Sequence, residues 1–130
     1  MNTLADVLGL VVTMLQAWPL SHAVRVLETH QFSDRQFALK VRAELTAGGT
    51  LQVRLYRNGE HTDYAYQLIR GGESIRWDNK EHFPSIASHP HHFHSASGQV
   101  EASPLIGDPS YDLPFVLDYL TVLCGRNTKE

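Results

Sequence analysis

The sequence predicts an α+β fold: an antiparallel β-sheet meander with an N-terminal and a C-terminal helix packed on one of its faces. Three observations lead there. Apolar and polar residues alternate over most of residues 37–78, which is the period of a strand with one buried face. Glycine-bearing turns break that alternation at short intervals, and short links between consecutive strands imply antiparallel neighbours. At both ends of the chain the period lengthens to that of a helix.

The first helix is expected over residues 3–18. Thr3 with Asp6 fits an N-terminal capping signal, and Pro19 ends the run. Leu4, Leu8, Val11 and Leu15 recur at helical spacing, as do Val7, Val11, Met14 and Trp18. The apolar face is wide. Packing on the sheet is the first reading of it, and a surface for a partner or a second copy of the chain is the alternative.

Antiparallel strands are expected over residues 22–79. The first runs from about His22 to His30, where Leu27 blurs the alternation of Val24, Arg25 and Val26. Phe37, Leu39, Val41, Ala43 and Leu45 give the clearest period of two. Thr46-Ala47-Gly48-Gly49 then turns the chain into Leu51, Val53 and Leu55. Asn58-Gly59 and Gly71-Gly72 mark two further hairpins, leading through Tyr64, Tyr66 and Leu68 to Ile75 and Trp77. Lys40, Arg42, Gln52, Arg54, Arg76 and Asp78 fall on the opposite face.

Residues 79–98 lose the period and read as a histidine-rich loop holding a short extended piece. A short edge strand is expected at 99–102. The last helix is expected over 112–124, with Asp112 as cap, Pro114 in the first turn and Gly125 as the stop.

The bulk properties fit one domain over residues 1–130. The hydrophobic share of 42% and charged share of 19% are those of a folded protein. A net charge of −3 argues against a globally basic nucleic-acid binder, while leaving room for a local basic face. Protonating all eight histidines would add eight charges and carry −3 to +5. Cys124 is the only cysteine, so no internal disulfide forms and a reducing cytoplasmic setting is the default. The apolar run Leu4–Trp18 is shorter than the roughly 20 residues of a membrane span, contains Asp6, and lacks the basic start of a signal peptide. A protein without membrane association is expected.

The chemistry concentrates between Arg76 and His94, where five of the eight histidines lie. Imidazole transfers protons near neutral pH or ligates a transition metal as the neutral ring. On an extended segment His92 and His94 share a face and suit a chelating pair, with Asp78, Glu81 or His82 as further ligands. No HExxH or CxxC frame accompanies them, so no cofactor is expected and a divalent transition metal is the alternative. RNA cleavage through the 2′-hydroxyl needs a base, an acid and a cation. His91, His92 and His94 with Arg76 or Arg54 supply those types. A purely structural role is the bland alternative: the histidines pin a loop, and Arg76 pairs with Asp78 two residues on. Lys40, Arg42 and Arg54 belong to a stretch with seven of the eleven Lys and Arg, read either as a solvated face or as an RNA-binding one.

The stretch from Phe37 to His94 resembles the TumE-type toxins of bacterial toxin–antitoxin pairs. The resemblance rests on the hairpin Leu45-Thr46-Ala47-Gly48-Gly49-Thr50-Leu51, on Tyr64-Ala65-Tyr66-Gln67, on Arg76-Trp77-Asp78-Asn79, and on Pro90-His91-His92-Phe93-His94. The last two together are specific. The resemblance extends over residues 20–123. Lys80-Glu81 before His82 and His89 before Pro90 depart from the family pattern. The resemblance implies a small cytoplasmic toxin neutralised by direct binding of a cognate antitoxin. By analogy with other such toxins, RNA is the expected target. Arg76, Asp78, His91, His92 and His94 are the catalytic candidates, and a non-catalytic metal- or partner-binding module is the alternative.

Overall fold

The computed structural model describes residues 3–128, with side chains described through Gly125. Helix α1 spans Leu4–Ala17 and helix α2 spans Pro109–Thr128. Between them run seven strands: β1 (Ser21–Ser33), β2 (Gln36–Leu45), β3 (Thr50–Asn58), β4 (His61–Arg70), β5 (Glu73–Asp78), β6 (His92–His94) and β7 (Val100–Ala102). They form one antiparallel sheet whose spatial order is the chain order. The expected α+β meander is the observed one.

The alternation of β2 to β5 sends Phe37, Leu39, Val41, Leu51, Val53, Leu55, Tyr66 and Trp77 into the core. Both helices cover that face. Val7, Val11 and Leu15 of α1 and Leu113, Val116 and Leu120 of α2 are fully buried. Leu4, Leu8, Val12 and Met14 pack on the same core, so the wide apolar face of α1 is used within the chain. The indole Nε1 of Trp18 donates to Thr121 Oγ1 at 2.9 Å and ties the two helices together. Thr3 caps α1 as expected, accepting from the amide of Asp6.

Three local features differ from the sequence reading. β1 extends to Ser33, and Leu27, which blurs its alternation, is the extra residue of a bulge between the pairs Val26–Val41 and Glu28–Lys40. Helix α2 begins before Asp112, because Asp108 is its cap: Asp108 Oδ1 accepts the Ser110 amide at 3.0 Å and Pro109 takes the first helical position. Pro114 therefore falls in the second turn, where it gives up one helical hydrogen bond. Gly125 does not stop the helix, which continues to Thr128; its φ is not positive, so it does not form a left-handed C-terminal cap. No helix among the described residues is long and apolar enough to cross a membrane.

Candidate functional site

The site grows from the end of β5. There the chain must leave the sheet and come back one strand further over. Asn79 makes the exit: its Oδ1 accepts the Tyr64 amide at 3.0 Å and its Nδ2 donates to the Thr62 carbonyl at 2.8 Å, so a side chain continues the hydrogen bonding of the ladder. Residues 80–91 then fold through successive turns, closed by Ile86 N to Phe83 O, His89 N to Ile86 O and His91 N to Ser88 O. Ser88 Oγ fastens this segment, donating to the His91 carbonyl and accepting the Ser103 amide.

The returning segment is the expected extended piece, β6, paired with β5 so that Arg76 faces His94, Trp77 faces Phe93 and Asp78 faces His92. Phe93 turns inward, its ring 4.7 Å from Trp77 and 5.5 Å from Tyr119 of α2. That apolar anchor leaves His92 and His94 on the outer face beside Arg76 and Asp78. Phe83 folds over them from the loop, its ring centre 4.8 Å from His92 and 5.8 Å from His94.

Asp78 is the hub, and only 2% of its side chain is exposed. Its Oδ2 accepts Arg76 Nε at 2.7 Å and lies 3.6 Å from His94 Nε2. Its Oδ1 lies 2.8 Å from His92 Nε2 and accepts the Lys80 amide at 3.0 Å. His92 is equally buried, and its Nδ1 donates to the Pro90 carbonyl at 3.0 Å. Both nitrogens of His92 are thus occupied. Arg76 NH2 lies 3.3 Å from His94 Nε2, where a guanidinium donates to a neutral ring. Burial, with the Arg76 charge adding to it, holds His94 below its ordinary pKa against the opposing pull of Asp78.

These four side chains form one wall of a basin on the outer sheet face, where Arg54, Lys80, His82 and Phe83 also contribute. Within that lining Arg54, Arg76 and Lys80 set three cations against one carboxylate, so the basin suits an anion. The ligating atoms of Asp78, His92 and His94 also lie within 4.8 Å of one another, a set able to hold a metal ion.

The structure therefore joins Arg76, Asp78, His92, His94 and Arg54, and separates the other candidates from them. His91 has the parity of Phe93 and points to the helix-covered face. There the Tyr64 phenol, kept protonated because burial pushes its pKa up, donates to His91 Nδ1 at 2.9 Å. Burial also lowers the His91 pKa, with Asp112 opposing. Lys40 pairs with Glu28 at 3.1 Å, and Arg42 donates to Gln52 at 3.3 Å. Neither lines the basin. Lys80 and Phe83 are basin residues that the sequence reading did not single out. They lie in the aperiodic loop, where neither spacing nor alternation marks a face.

A search among curated proteins finds no match, and neither does a comparison with solved structures. A family model described as "Toxin TumE" matches residues 13–122, which cover all seven strands, the basin, the last part of α1 and most of α2. On that match, and with the Arg-Trp-Asp-Asn and Pro-His-His-x-His segments meeting as β5 and β6 of one site, the chain belongs to the TumE toxin family.

Proposed function

We propose that the basin is the active centre of this toxin and that it cuts RNA in the cytoplasm through the ribose 2′-hydroxyl, without a metal. Family membership makes the chain a toxin of a toxin–antitoxin pair and implies a cognate antitoxin as its partner. The observation that carries the RNA reading is the meeting of a neutral imidazole and a guanidinium in one cationic basin.

His94 is the base. Its lowered pKa favours the neutral ring, whose unprotonated nitrogen takes the 2′-hydroxyl proton as that oxygen attacks phosphorus. Arg76 stabilises the charge that builds on the phosphorane oxygens, with Lys80 and Arg54 holding the flanking backbone. Asp78 fixes Arg76 and His92 in place. His82, exposed at the rim, returns a proton to the leaving 5′-oxygen. The bond from phosphorus to the 2′-oxygen forms, the bond to the 5′-oxygen breaks, and the products end in a 2′,3′-cyclic phosphate and a 5′-hydroxyl.

The test uses purified, untagged protein and single-stranded RNA in excess chelator. The wild type is expected to give cyclic-phosphate ends. His94→Ala and Arg76→Ala are each expected to lose about 10²-fold or more in rate. His91→Ala, off the basin, is expected to keep most of the rate. RNA that stays intact under conditions in which the same chain arrests growth would rule the reading out.

A further inference from the structure

We infer that Asp78, His92 and His94 also form a transition-metal site of the zinc class, and that the ion and Arg76 exclude one another from it. Three observations converge. The donor set is two imidazoles and a carboxylate, a set that zinc takes with one position left open. Its spacing is close to what an ion needs. Bonds of about 2.0–2.2 Å in a tetrahedron put ligand atoms roughly 3.4 Å apart, and His94 Nε2 already lies 3.6 Å from Asp78 Oδ2. His92 Nε2 meets the other Asp78 oxygen, Oδ1, at 2.8 Å, and one ligand atom from each of the three residues lies within 4.8 Å of the others, so the set draws together modestly to hold an ion.

The third observation is the support behind His92. Its Nδ1 donates to the Pro90 carbonyl at 3.0 Å, which fixes the ring and leaves Nε2 as the atom facing the set. A backbone carbonyl in that place is the usual outer partner of a metal-bound histidine.

Arg76 opposes the ion directly. Its NH2 sits 3.3 Å from His94 Nε2, the atom that would coordinate, and its Nε donates to Asp78 Oδ2. The Arg76 side chain is 41% exposed, so it can swing into solvent. An ion would then hold His94, the proposed base, and evict the proposed phosphate ligand. The metal site stands on geometry alone; its consequence, a toxin silenced by zinc, rests on the RNA reading.

The test titrates Co²⁺ into untagged protein stripped by chelator, without RNA, and follows the visible bands of tetrahedral cobalt. One equivalent is expected to bind. His94→Gln is expected to weaken binding at least about tenfold, while His61→Ala, a surface histidine, leaves it unchanged. Arg76→Gln is expected to bind more tightly, on the order of fivefold, because a nearby cation has gone. A thermal melt confirms that each variant is folded. Absence of stoichiometric binding, or equal binding by His94→Gln, would overturn the site. Unchanged or weaker binding by Arg76→Gln would overturn the competition. A chain that binds cobalt but leaves RNA intact keeps the metal site and loses the RNA reading; a chain that cuts RNA and retains no metal does the reverse. With both in place, Zn²⁺ suppresses cleavage and chelator restores it.

Discussion

Asp78 gathers a guanidinium, an imidazole and a backbone amide onto one buried carboxylate, with a second imidazole just beyond. Such a group is costly to bury alone and is stabilised by the partners it holds. Asp78→Asn keeps the shape and removes the charge. It is expected to lower unfolding free energy by about 1–3 kcal/mol in urea titrations and to abolish growth arrest; full stability would show that the carboxylate is not what holds the site. Asp112 behaves differently. It is fully buried, and its two oxygens accept the Ile106 and Gly107 amides at 2.9 and 2.7 Å. Burial raises its pKa above the ordinary 3.8, although those amides pull the other way. The folded state therefore holds this proton more tightly than the unfolded state. The resulting stabilisation is complete below 3.8 and is lost as pH rises through the higher folded value. The cost of Asp112→Asn, read from unfolding curves at a series of pH values, is expected to shrink as pH rises through that window; a cost that grows would reverse the assignment.

At the scale of elements, the site depends on three residues of β6. That strand is too short to hold itself and relies on Phe93 wedged between Trp77 and Tyr119. Phe93→Ala is expected to cost about 3–5 kcal/mol. Because His92 and His94 ride on the same strand, it should also abolish toxicity while leaving Arg76 and Asp78 untouched; a stable and toxic variant would show that β6 is placed by other contacts. This element also marks where the sequence stops being informative. The ladder of β2 to β5 is legible, since residues from Phe37 to Trp77 alternate over enough positions to fix which face is buried. The Arg76–Asp78 pair is legible for the same reason. The register that sets Asp78 opposite His92 is not, because the loop of residues 79–91 has no period and three residues of strand cannot reveal their own parity. Three consecutive residues, the candidates His91 and His92 and the anchor Phe93, are sorted onto two faces only by where the loop lets the strand begin. The cap of α2 is hidden by a related ambiguity. Asp108 and Asp112 both precede helical spacing, and only the fold shows that the second reaches back to the loop instead.

Across the whole molecule, each strand pairs with its neighbours in sequence, so the sheet assembles from hairpins that need no distant partner. Tertiary closure falls to the helices, which meet over the sheet through Trp18 and Thr121. The order of the meander also divides the site along the chain. Arg54, Arg76 and Asp78 arrive before the loop of residues 79–91, whereas His92, His94 and α2 arrive after it. Neither portion carries a complete proton-transfer centre. A gene opened within that loop, near Ser85, would encode two harmless polypeptides. Joined again by fused coiled-coil tags, they are expected to arrest growth only when produced together. Arrest by either half alone would place the lethal chemistry elsewhere. The long excursion between β5 and β6 is thus a natural seam, at which a poison becomes a two-key lock.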